Sequence, residues 1–129
     1  MSYKVDRIAG LKKEGEVLPI IKTYFDRDIH KCTERYAKYD FFDEKYKYEL
    51  KSRNNTYDKY PTTLICADKT CKRIIFLFNF TDGLYYIKYR KSKFNTFEKK
   101  MFVRNKRSDY DDLEKEYIYI PIEHLKKIN

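Results

Sequence analysis

The stretch YDFFDEKYKYELKSR, residues 39–53, interleaves acidic and basic side chains with aromatics, and its reading decides the fold. In an extended chain successive side chains point to opposite faces, so Lys47, Glu49 and Lys51 share one face and Tyr48, Leu50 and Ser52 the other. The face of Tyr48 and Leu50 is expected to be the buried one. Two strands are predicted, over residues 36–42 and 46–52, joined by a tight turn around Asp43, Glu44 and Lys45 and ended by Asn54 and Asn55. Whether the turn has two residues or four, Phe42 stands opposite Lys47 and Asp40 opposite Glu49. Directly opposed residues have Cβ atoms about 5 Å apart. Two carboxylates that close repel unless a cation sits between them. A divalent ion such as Mg²⁺, which takes one or two carboxylates with waters and phosphate oxygens, suits the pair. Lys51 projects to the same side, where its ammonium can orient a water or balance charge on a phosphate. Asp43 has the wrong parity and is read as a turn residue. The competing reading of the charged face is a ladder of structural ion pairs on a solvated hairpin.

Outward from the hairpin, residues 14–26 carry Val17, Ile20, Ile21, Tyr24 and Phe25 at spacings of three and four, the stripe of an amphipathic helix with Pro19 in its first turns. Residues 61–72 are expected to form a helix opened by Pro61, although Thr-Thr-Leu-Ile also suits a strand. IIFLFNF, within residues 73–80, reads as a buried central strand turned by Thr81-Asp82-Gly83 into LYYIKY at 84–89. A basic hairpin or loop follows, with a strand at 100–104. The acidic run 109–116 reads as a polar connector, residues 117–120 as a last strand, and PIEHLKKI as a terminal helix.

A chain of 129 residues has room for one domain, residues 1–129, with a real core. It contains no apolar run of membrane-spanning length and opens without the charge pattern of a signal peptide, so a soluble intracellular protein with no membrane partner is expected. Three cysteines, Cys32, Cys66 and Cys71, make no disulfide framework, and their spacings with His30 fit no common zinc site. His30 and His124 have no nucleophile beside them in sequence, and three glycines leave no phosphate-binding loop. Lysine outnumbers arginine 21 to 8 while alanine and glycine number three each, a bias that AT-rich codons produce, so aromatic abundance says little about base stacking. Charge says more. Residues 88–107 hold nine Lys/Arg and one Glu, nearly all of the chain's net +9, which points to a local patch for polyanions or to a lysine-rich exposed hairpin.

Asp40, eight intervening residues and then Glu49-Leu50-Lys51 resembles the PD-(D/E)XK signature of restriction endonucleases, Holliday-junction resolvases and recombination exonucleases. The expected order of elements over residues 10–90 is similar to that family's αβββαβ core, an α/β fold with a mixed β-sheet flanked by helices. ELKSR followed by NNTYDKYPTT and a lysine resembles the small stand-alone nucleases of large DNA viruses and phages, which would put the chain in a host cytoplasm, a nucleus or a virion. No proline precedes Asp40, a departure many members share.

The resemblance implies that Asp40 and Glu49 bind the metal, that the Leu50 carbonyl completes the ligand set and that Lys51 acts on the attacking water. A helix-borne glutamate would be the further acid; Glu14, three and four residues before Val17 and Leu18, lies nearer the buried stripe than Glu16. Arg53 and Lys69 either grip phosphates beside the metal, as bases after the signature do in similar nucleases, or are ordinary surface charges. Lys88, Arg90, Lys91 and Lys93 lead the basic patch. Tyr57 and Tyr60 are read as packing at the hairpin's end, with base stacking as the alternative. The expected function is a DNA-hydrolysing, Mg²⁺-dependent deoxyribonuclease, with Mn²⁺ as a substitute ion and 5′-phosphate ends. Its rivals are a basic nucleic-acid-binding module without hydrolysis and a resolvase-like homodimer acting on branched DNA.

Overall fold

The computed structural model describes residues 3–34, 39–103 and 114–129, with side chains of the first helix from residue 13 onward. Part of the first predicted hairpin strand, the basic residues Arg104, Lys106 and Arg107 and most of the acidic connector lie outside the described residues. The elements are α1 (Tyr3–Phe25), β1 (His30–Lys31), β2 (Phe41–Phe42), β3 (Lys47–Ser52), β4 (Thr62–Cys66), β5 (Ile74–Phe80), β6 (Gly83–Lys88), α2 (Lys91–Phe94), β7 (Glu98–Phe102), β8 (Lys115–Pro121) and β9 (Lys126–Lys127). Short 3₁₀ turns follow β4, at Ala67–Lys69, and β8, at Ile122–His124. Among the described residues no helix is long and apolar enough to cross a membrane.

The chain is mixed α/β and mostly strand. A six-stranded sheet in the order β1-β2-β3-β5-β6-β9 is antiparallel except where β3 runs parallel to β5, and a three-stranded antiparallel sheet has the order β4-β8-β7. The period of two in β5 and β6 splits their side chains between two cores. On one face Ile75, Leu77, Leu84 and Tyr86 meet Val17 and Ile21 of α1, together with Phe41 and Tyr48 of the hairpin. On the other, Ile74, Phe76, Phe78, Phe80 and Ile87 meet Ile65 of β4, Ile118 and Ile120 of β8, and Phe94 of α2. The six-stranded sheet is therefore the middle of three layers, which explains why IIFLFNF is apolar without interruption.

Four expectations need correction. Helix α1 begins at Tyr3, so Pro19 lies well inside it, where the missing amide leaves the Gly15 carbonyl without its helical donor. The helix ends with Asp26 in the left-handed region (φ 51°) and the Arg27 amide bonded back to the Lys22 carbonyl, a Schellman-type closure. Residues 61–72 are not a helix. Thr63 and Ile65 alternate inward and pair with Ile120 and Ile118 of β8, a long-range ladder that suits β-branched residues. PIEHLKKI is a 3₁₀ turn followed by β9, because Lys126 and Lys127 pair with the open edge of β6 at Tyr86 and Tyr85. The sheet is consequently flanked by α1 on one face but by a second sheet and the one-turn α2 on the other, and the crossover between the parallel strands β3 and β5 carries β4 and a 3₁₀ turn in place of a helix. The strand expected at 100–104 is β7, two residues earlier.

Candidate active site

Asp43 builds the hairpin. Its carboxylate accepts hydrogen bonds from the Lys45 and Tyr46 amides (2.7 Å each), the Tyr48 hydroxyl (2.5 Å) and Arg27 Nε (2.7 Å). Burial alone would raise its pKa, but Arg27, Tyr48 and the two amides outweigh burial and hold the group well below the usual carboxylate range. The same contact, with burial, pushes the Tyr48 hydroxyl far up. Asp43 is thus both the turn residue read from parity and half of an ion pair with Arg27, which sequence separation hid.

The turn sets the register. Phe42 pairs with Lys47 and Phe41 with Tyr48, as read from the sequence, and the Asp40 amide donates to the Tyr48 carbonyl at 2.9 Å. The ladder ends there: the Asp40 amide turns to the Tyr48 carbonyl instead of continuing the register, so Asp40 sits beside the Phe41–Tyr48 pair, close enough to Glu49 for its charge to raise that group's pKa. Asp40 Oδ2 accepts the Leu50 amide at 2.7 Å, so the carboxylate caps β3 where β2 ends. The Lys47 amide bonds Arg73 and the Arg53 amide bonds Asn79, both toward β5. Odd residues of β3 therefore spend their backbone groups on β5, and the Leu50 carbonyl faces the other way, beside Asp40.

Glu49 and Lys51 lie on the face of β3 that looks toward the second sheet, with Phe76 and Phe78 as their partners on β5. Glu49 is only 7 % exposed. Its pKa is raised, first by burial and then by the Asp40 charge, against the opposing pull of Lys51 and Lys69. Lys51 Nζ lies 3.3 Å from Glu49 Oε1. Glu49 is thus withdrawn from water, while Lys47 on the same face is exposed and Lys51 partly so. Glu14 comes from α1 to Asp40: burial raises its pKa, and a hydrogen bond to Asp40 and that group's charge raise it further. Lys31 Nζ, 3.4 Å from Glu14 Oε2, opposes the shift. Glu16, two residues on, is exposed.

Asp40, just before β2, thus lies near two other carboxyl groups, Glu14 of α1 and Glu49 of β3, with Lys31 opposing the shift of the first and Lys51 and Lys69 that of the second. Among the described residues no three His, Cys, Asp or Glu side chains form a ready-made ligand group. Glu49 leans on Lys51, Glu14 on Lys31, and one Asp40 oxygen on an amide. The donor set of carboxylates with a neighbouring main-chain carbonyl is nonetheless the hard-oxygen set that Mg²⁺ prefers, and a cation would relieve the mutual repulsion.

The remaining candidates divide. Lys69 stands near enough to Glu49 to lower its pKa. Arg53 takes the structural role: its Nε donates to Thr63 Oγ1 at 3.0 Å and its other arm to the Leu64 carbonyl at 2.6 Å, over the Phe78 ring, tying the end of β3 to β4. Arg90, Lys91 and Lys93 are exposed around α2, whose Phe94 stacks on Phe76, the partner of Glu49. Lys88 belongs elsewhere. Its strand partner Ile75 sits in the α1-side core, and its ammonium lies 5.0 Å from the Tyr46 ring, so it projects from the face opposite Glu49. Tyr57 is a packing residue, stacked on Tyr85 at 4.1 Å with its hydroxyl on the Ile122 carbonyl. The cysteines Cys32, Cys66 and Cys71 are free. Sequence reasoning missed Lys31, for which only its pairing with Phe41 gives a reason, and the Arg27–Asp43 pair. No protein-family model, curated protein or solved structure matches the chain.

Proposed function

We propose that the chain is a Mg²⁺-dependent deoxyribonuclease of the PD-(D/E)XK kind, with Mn²⁺ as a substitute ion. The observation that carries the reading is the buried Glu49 beside the Asp40 charge, with Lys51 at 3.3 Å and Glu14 reaching Asp40 from the helix. Stability alone gives no reason to bring both Glu14 and Glu49 against Asp40, whereas a metal-dependent hydrolytic centre does. The order α1, hairpin and a β5 parallel to β3 supports a restriction-endonuclease-like core, from which the β4 crossover departs.

Asp40, Glu49 and the Leu50 carbonyl would hold the ion, with Glu14 as the outer acid. Mg²⁺, when bound, supplies Lewis-acid stabilisation of charge on the nonbridging phosphate oxygens. Lys51, kept close by Glu49, holds and orients the water that attacks phosphorus in line with the departing 3′ oxygen. Lys69 and the exposed bases of α2 bind flanking phosphates and offset the charge of the strand.

The test is incubation of the purified protein with supercoiled, linear, single-stranded and branched DNA in Mg²⁺, Mn²⁺ or chelator. Metal-dependent cleavage, abolished in each of Asp40→Ala, Glu49→Ala and Lys51→Ala, is expected, with far-UV circular dichroism unchanged. Full activity in any one variant would sink the assignment. Salt-dependent binding without cleavage would favour a non-catalytic nucleic-acid-binding module, and cleavage confined to branched DNA by a dimer would favour the resolvase-like reading.

A further inference from the structure

Row 49-51-53 of β3 leads from the candidate centre straight into a cavity. Arg53 follows Lys51 on the same face, about 7 Å along the strand. Beside it opens a cavity of about 230 Å³ whose lining includes Arg53, Asn55, Tyr57, Tyr60, Thr62 and Phe80. Its volume is below the ~300 Å³ at which drug-sized sites begin. It is roughly eight times the ~30 Å³ share of one water. That volume is of the size of one planar ring system.

The lining is suited to such a ring. Phe80 and Tyr57 are fixed apolar walls, Tyr57 by its stack on Tyr85 and its bond to the Ile122 carbonyl. Arg53 is a rigid cationic wall, held by Thr63 and the Leu64 carbonyl. Tyr60 is the unusual member: a large aromatic left 53 % exposed at the mouth. Asn55 donates its amide to the Thr56 carbonyl and keeps a carbonyl oxygen to accept from a ring edge, and Thr62 adds a hydroxyl at the rim. An aromatic face with a cationic wall and a few hydrogen-bonding groups is how proteins hold an unpaired base.

Resting on the nuclease reading above, we propose that this cavity receives one unstacked nucleobase from the nucleotide next to the scissile phosphate. The preferred substrate is then DNA with unpaired nucleotides at the cleavage point, such as single strands, flaps or frayed ends, and not an uninterrupted duplex. Base identity is read weakly here, because every base has a stacking face and the polar rim is sparse.

The experiment measures binding in chelator, where no hydrolysis intervenes, by fluorescence anisotropy of short single-stranded oligodeoxynucleotides in which one abasic residue is moved position by position. For the wild-type chain one position, or two neighbours, should weaken Kd about five- to a hundred-fold while the others have little effect. Tyr60→Ala, at an exposed site that the fold does not depend on, should weaken the intact oligonucleotide by a similar factor and erase the positional effect; Tyr60→Phe should retain it. A flat abasic profile, or a positional effect that persists in Tyr60→Ala, overturns the proposal. A position-dependent profile from a protein that cleaves nothing in Mg²⁺ would leave the cavity assigned and refute the hydrolytic reading; cleavage with a flat profile would do the reverse.

Discussion

Removing the Asp43 carboxylate should cost more stability than removing any other charged group of the hairpin. Its side chain is 3 % exposed and serves four donors, and Asp43→Ala strands each of them differently. The Tyr48 hydroxyl, on a fully buried ring, is left without its acceptor at about 1–3 kcal/mol. Arg27, whose side chain is 31 % exposed, can rehydrate, so the broken ion pair is discounted to about 1 kcal/mol. The two turn amides, open to water once the carboxylate is gone, add about 0.5 kcal/mol each. Together these give about 3–5 kcal/mol, a large part of the ~5–15 kcal/mol that holds a domain of this kind. Urea unfolding followed by far-UV circular dichroism is the assay, since the chain has no tryptophan. A pH series adds a signature. The folded pKa of Asp43 lies below its unfolded value of about 3.9, so its stabilisation is complete above that value and fades as pH falls toward the folded pKa. The gap between wild type and Asp43→Ala should therefore be widest at neutral pH and narrow below about pH 4. A destabilisation under about 1 kcal/mol, or a gap that does not narrow in acid, would refute the argument that this carboxylate fixes the turn and with it the Phe42–Lys47 register.

Three further outcomes follow from the same geometry. In chelator the wild-type chain should lose stability as pH rises above 4.5 through the raised pKa of Glu49, because the folded state there binds the proton more tightly than the unfolded one; Glu49→Gln should flatten this slope in urea unfolding, and an unchanged slope would mean that Glu49 is well solvated. Glu14→Gln should weaken Mg²⁺ binding, read by calorimetry, or slow turnover severalfold, whereas Glu16→Gln, at an exposed position, should match wild type; the opposite pattern would put the wrong face of α1 toward Asp40. Exchanging Arg90, Lys91 and Lys93 for glutamine should reduce the log-log salt slope of DNA binding by about one unit for each phosphate no longer neutralised, while Lys88→Gln, on the opposite face, should leave it unchanged.

What was legible in the sequence is what depends on neighbours along the chain. A turn of this length admits one parity, and parity alone stands Phe42 against Lys47. The stripe through Val17 and Ile21 and the unbroken run IIFLFNF were readable for the same reason, since period and apolar density are local properties. Pro61 and Pro121 each misled, because a proline suits the first turn of a helix as well as the edge of a strand, and only a partner distinguishes the two. For residues 62–66 that partner is β8, more than fifty residues away, and for Lys126 and Lys127 it is the open edge of β6.

The sequence by itself therefore determined the register of the hairpin at Phe42 and Lys47 and which strands run through the middle of the protein. The tertiary structure decided what those groups experience. The pairing of β3 with β5, whose Phe76 carries Phe94 of α2, withdraws Glu49 from water. The α1 layer carries Glu14 to Asp40 and meets Lys31, and the β4 crossover captures Arg53 and brings Lys69 toward Glu49. Desolvation and charge–charge interaction act through space at a few ångströms, and such proximity is fixed only when layers formed by distant segments close on one another.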